Sequence, residues 1–131
     1  MRQALRTAGV ELLPLAALAI GVLGGCDPEL HSVAWLVEFA SSALRERAVV
    51  VDATVLEGGC TGTRVLYESE LTAGETPPPP PALAPGRYGV AARARDEGCV
   101  WYALGCVEVA LPEEGPTVTV TLAAAAPEVQ C

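Results

Sequence analysis

From residue 48 onward the chain alternates apolar and polar residues with a period of two, segment after segment, and such a pattern admits sheet and little else. Val49, Val51, Ala53 and Val55 share one parity, with Asp52 and Thr54 on the other. Val65, Tyr67 and Leu71 alternate with Arg64, Glu68 and Glu70, and Tyr88, Val90, Ala92 and Ala94 with Arg93 and Arg95. Val107, Val109 and Leu111 line up in turn, and Val118, Val120 and Leu122 alternate with Thr117, Thr119 and Thr121. Successive side chains of a strand point to opposite faces, so each segment offers one face to a core and one to water. Gly58-Gly59, Asp96-Glu97-Gly98 and Glu113-Glu114-Gly115-Pro116 punctuate the pattern as turns. Residues 33–44 fit two readings. Trp35, Val37 and Phe39 alternate as in a strand, whereas Leu30, Val33, Val37 and Leu44 share a helical face; aromatic and β-branched content favours the strand over 33–39. The expectation is an all-β fold: a small antiparallel β-sandwich of about 6–7 strands.

Pro77 to Pro81 interrupt this series. Five consecutive residues without an N–H cannot form a central strand, and they favour a stiff, extended polyproline crossover. The cysteines add a second constraint. Of five, Cys60, Cys99, Cys106 and Cys131 fall in the sheet-forming region, an even set that reads as two disulfides in an exported domain. Three connectivities are open. Cys99 and Cys106 flank a short excursion between strands, so Cys99–Cys106 with Cys60–Cys131 is the expected pairing, contributing roughly 2–3 and 4–5 kcal/mol through loop closure. No Cys-x-x-Cys pair suggests redox chemistry.

The fifth cysteine stands apart. Arg2 and Arg6 open the chain, and Leu12 to Leu23 then run without a charge. As a helix this run would span about 18 Å, short of a hydrocarbon core of about 30 Å, which suits a signal-peptide core better than a membrane span. Leu23-Gly24-Gly25-Cys26 follows and resembles the lipobox of bacterial lipoproteins. The resemblance covers the first 26 residues and implies cleavage before Cys26, diacylglycerol on its thiol and a further acyl chain, such as palmitate, on the new amine. It divides the chain into a signal peptide (1–25), a lipidated tether (26–32) and a β domain (33–131). It places the domain outside the cytoplasm in a bacterial cell envelope, held to the inner or outer membrane. Asp27 resembles the inner-membrane retention signal of enteric lipoproteins, a rule that varies between bacterial groups. Two or three acyl chains anchor durably where one would not. Further on, Leu83-Ala84-Pro85-Gly86-Arg87-Tyr88 resembles the Leu-x-Pro-Gly-x-Tyr turn that enters a strand in prealbumin-like and carboxypeptidase-regulatory-like sandwiches, where the tyrosine packs at the sandwich edge.

Nothing in the sequence assembles a catalytic centre. His31 is the only histidine and lies in the tether, and there is no nucleophile elbow, phosphate-cradling loop or zinc motif. Asp96-Glu97 and Glu113-Glu114 lack the spaced oxygens of a calcium loop and read as solvated turn charges. No catalytic residue, metal or cofactor is therefore assigned. All eight basic residues are arginine, and the net charge of −8 sets the chain against nucleic acid and anionic lipid. The expected function is a non-enzymatic, membrane-anchored lipoprotein acting as a structural or protein-binding module, with another envelope protein as its partner. The alternative is binding of a small molecule or glycan in a groove near Trp101. If Tyr102 packs inside with Val100 and Leu104, the adjacent Trp101 lies at or near the surface, either packed at an edge or over a disulfide, which is the favoured reading, or exposed as a binding anchor.

Overall fold

The computed structural model describes residues 27–112 and 117–131. The expected signal peptide (1–25), Cys26 and the expected turn at Glu113-Glu114 lie outside them. The described chain is all-β apart from one short helix: β1 (Ala34–Phe39), α1 (Ser42–Arg47), β2 (Val50–Glu57), β3 (Val65–Thr72), β4 (Gly86–Arg95), β5 (Val100–Leu111) and β6 (Thr117–Val129). The six strands form one curled sheet in the order β1-β6-β5-β4-β2-β3. Residues 33–44 thus divide between the two readings. The strand holds to Phe39, and α1 follows, started by Ser41, whose Oγ accepts the Leu44 N–H at 3.3 Å.

The sheet is mixed rather than antiparallel throughout. β1 runs parallel to β6, from Ala34 opposite Thr117 to Phe39 opposite Leu122. Tight turns impose antiparallel pairing, but β1 and β6 are joined through everything between them, and so long a crossover permits the parallel arrangement. β6 divides its pairing along its length. Thr117–Leu122 bonds β1, whereas Ala123 and Ala124 pair with Leu104 and Ala103, and Val129 with Val100. The alanine-rich tail is thereby a continuation of the strand.

The alternation seen in the sequence sorts the faces. Tyr88, Val90, Ala92 and Ala94 of β4 stand beside Val109, Val107, Gly105 and Ala103 of β5, and Val55, Ala53 and Val51 of β2 oppose Val90, Ala92 and Ala94. Over this inner face lie Trp35 of β1 and Val118, Val120 and Leu122 of β6, all in one buried cluster. β6 passes so close to Gly105 that a Cβ there would collide with the Thr121 carbonyl. Burial of these side chains, at about 1.5–3 kcal/mol each, is the main force holding the curl.

The proline run behaves as its composition dictates. Pro77 and Pro80 are buried while Pro78, Pro79 and Pro81 are exposed, the three-residue period of a polyproline II helix. The Trp35 indole N–H donates to the Pro78 carbonyl at 2.8 Å, and its ring meets Tyr67 at 6.0 Å between centroids. The run therefore lies between β1 and β3, the two ends of the sheet. Tyr88, two residues beyond Gly86, is buried and donates its hydroxyl to the Ala84 carbonyl at 2.6 Å, tying the Pro-Gly turn to the strand it opens.

The cysteines pair as Cys60–Cys106 and Cys99–Cys131, with Cα atoms 6.0 and 5.2 Å apart. This corrects the expected Cys99–Cys106 and Cys60–Cys131 pairing. Cys106 lies inside β5, whose extended backbone advances about 3.3 Å per residue, so Cys99 is some 20 Å away from it and out of bridging range.

Candidate functional site

Two concave regions stand out. The first, an end groove of about 510 Å³, lies between Leu36–Phe39 and α1 on one side and Gly74–Pro77 on the other, with Val51 reaching its floor. The second is a shallower hollow of about 250 Å³ on the outer face of the sheet, over Ala91 and the Cys60–Cys106 bridge, rimmed by Asp52, Arg93 and Leu104.

The outer face explains the fate of Trp101. Residues Ala94 and Arg95 of β4 oppose Ala103 and Trp101, so β5 carries one extra residue, Tyr102, as a bulge. The bulge changes the parity of β5. Trp101 stays on the face of Arg95, Leu104 comes to lie opposite Arg93 on the outer face, and Tyr102 tucks against α1. Leu104 is accordingly 58% exposed instead of inward, while Trp101, on the outer face, is only 9% exposed. The Arg93 guanidinium covers the indole at 3.9 Å from the ring centroid, and the indole N–H donates to the Gln130 carbonyl at 3.0 Å. A molecule entering this hollow would meet Arg93 and Leu104 before it met the indole.

Asp52, expected on the polar face, is buried there for a specific reason. Its register partner on β4 is Arg93, which donates from Nε and Nη2 to Oδ2 at 3.2 and 3.1 Å. A carboxylate so enclosed needs its cation, and Arg93 lies between Asp52 on one side and Trp101 on the other with its side chain half-exposed.

Among the described residues three groups have shifted ionisation. Arg47 donates to Asp96 at 2.7 and 3.0 Å and holds that carboxyl below its ordinary value, helped by the N–H groups of Val100 and Gly98. Arg87 does the same for Glu108 on the outer face. Burial pushes the Tyr102 phenol up, which keeps it a neutral donor to the Leu44 carbonyl at 2.5 Å, with Arg47 over its ring at 4.1 Å. These groups fasten α1 and the outer loops; they do not converge on a common point. Because both carboxyl values are depressed in the folded state, their stabilising contribution is complete above the ordinary carboxylate range and is lost as pH falls through the folded values. Melting temperature should therefore begin to drop as pH goes below about 4, and Arg47→Met should partly flatten that acid limb by removing the Arg47 share of the Asp96 contribution.

The end groove is built differently. Ser41 and Ser42 begin α1, Arg45 projects from its middle, and Glu38 and Glu75 flank the opening. The Glu75 carboxylate accepts the Thr72 N–H at 3.1 Å, closing the turn around Gly74, whose φ of 99° suits glycine. His31 lies at the other end of β1, where its backbone pairs with Leu83. Asp96 is spent on Arg47 and the 96–100 turn. Among the described residues no three His, Cys, Asp or Glu side chains gather as a metal site, and no helix is long and apolar enough to cross a membrane.

No protein-family pattern matches the chain, and no curated protein or solved structure is significantly similar to it.

Sequence reasoning missed the end groove altogether. It is formed by which strands end the sheet, a long-range property that local alternation does not carry. Ser41 ahead of the helix-forming Ala-Leu-Arg-Glu-Arg was the one local signal for its α1 wall.

Proposed function

We propose that the chain is a bacterial envelope lipoprotein, anchored by lipid on Cys26, whose β domain is a non-catalytic module for binding another envelope protein. The observation that carries this reading is Leu23-Gly24-Gly25-Cys26 placed directly behind the charge-free Leu12–Leu23 run. Cysteine use supports it, since the four downstream cysteines are taken up by one another, leaving Cys26 outside the disulfide set. The sandwich architecture of prealbumin-like modules belongs to the same proposal. It is supported by the Tyr88 anchor at the Pro-Gly turn and by the way Trp35 and the first half of β6 lie over the inner face of the other strands.

The test is partition between detergent-rich and aqueous phases. The native protein should enter the detergent phase and carry the mass of a chain cleaved before Cys26 plus its acyl groups. Cys26→Ser should remain uncleaved at that site and carry no acyl mass. A native protein with no acyl mass on Cys26 would overturn the anchor.

A further inference from the structure

Among the described residues β1 is hydrogen-bonded along one edge only, to β6. The Ala40 N–H donates to the Leu122 carbonyl at 2.9 Å, so the alternation of a strand turns the N–H and C=O groups of Trp35, Val37 and Phe39 away from β6. His31, of the same parity, shows what that other edge does when a strand is offered: it exchanges both backbone bonds with Leu83 at 2.8 Å each. From Leu83 back toward Pro77 the chain follows β1, but prolines 77–81 have no N–H to give, and the ladder stops after one pair. At Pro77 the end groove opens beside Val37 and Phe39.

We propose that the end groove receives an extended peptide of a partner protein, added as a strand to the free edge of β1, with basic and apolar residues alternating along it. Main-chain bonds to Val37 and Phe39 would hold the peptide, and the groove would select alternate side chains. The apolar side chains would meet half-buried Val37 and Phe39 and the floor at Val51. The basic preference follows from charge. Glu38 and Glu75 flank the opening, with Arg45 the one cation among the described residues lining the groove. The same carboxylates disfavour a second copy of this chain, whose edges would bring like charges together. A volume of about 510 Å³ is in the range of binding clefts. The inference deepens the protein-binding half of the proposed function and is independent of the lipid.

The experiment uses the full chain in detergent micelles and a labelled eight-residue probe of alternating valine and arginine, read by fluorescence anisotropy. Saturable binding is expected. It should weaken by about tenfold or more with an alternating valine–glutamate probe, with the valine–arginine probe N-methylated at alternate residues, and in Val37→Pro, which removes an N–H that β6 does not use. Should Val37→Pro fail to fold, Glu38→Arg with Glu75→Arg serves in its place and should reverse the preference between the two probes. Equal binding of the methylated probe would mean charge attraction without strand addition and would overturn the proposal, as would no binding at all. In intact envelopes, a photo-crosslinker at Leu36 should capture a partner that one at Leu104 does not. Capture at Leu104 alone would sink the β1 edge while leaving a protein-binding role standing.

Discussion

Removal of both disulfides should unfold the β domain at about 37 °C. The pairs close chain separations of 46 and 32 residues, and loop-closure entropy assigns each about 4 kcal/mol. Together that is about 8 kcal/mol, against a total stability of roughly 5–15 kcal/mol for a domain near 100 residues. Either double variant alone, Cys60→Ser with Cys106→Ser or Cys99→Ser with Cys131→Ser, should lower the melting temperature by roughly 15–30 °C. The two loops differ too little in length to separate the variants on entropy. The Cys60–Cys106 pair should nevertheless cost more, because it also fastens the loop after β2 across the outer face. Thermal melts of the four proteins decide the matter; a fourfold variant that melts within about 5 °C of the native chain would refute it.

That loop gives the second large effect. Gly89 lies under it, and a Cβ there would sit 2.6 Å from the Gly59 carbonyl carbon and 2.8 Å from the Cys60 nitrogen. Those are backbone atoms held down by the Cys60–Cys106 bridge, so they cannot swing aside as a flexible side chain would. Gly89→Ala should therefore destabilise by about 3 kcal/mol, the upper range for overpacking. The informative part is the coupling. With Cys60→Ser and Cys106→Ser in place the loop is free to lift, and the same alanine should cost less than about 1 kcal/mol. Urea denaturation of the four-protein cycle measures the difference; additive costs would mean that the loop is held by something other than the bridge.

The local pattern of the sequence carried much of the fold. Tyr88, Val90, Ala92 and Ala94 face inward as their alternation requires, and Val118, Val120 and Leu122 do the same. The proline run is extended and lies outside the ladder because a missing N–H is a local fact. What alternation does not encode is the partner. The parallel β1–β6 pairing, the cysteine connectivity and the groove beside β1 depend on which strands come to be neighbours. A single bulged residue was enough to turn Leu104 outward and bring Trp101 under Arg93, and nothing in Val100-Trp101-Tyr102-Ala103 marks where the extra residue falls. Asp52 was placed on the correct face, but its burial depends on Arg93 standing at the same register one strand away.

The divided pairing of β6 bears on how the chain comes to be folded at all. β1 is the first strand made, and its hydrogen-bonding partner is Thr117–Leu122, nearly the whole domain later. During synthesis β1 waits, and the inner face it covers stays open, until the final strand has emerged. A chain of this order resists folding from its N-terminus forward, and such long-range closure is slow. Under the proposed export, in which the polypeptide is threaded across a membrane while unfolded, that delay is an asset: the strand nearest the proposed signal segment is the one least able to fold early.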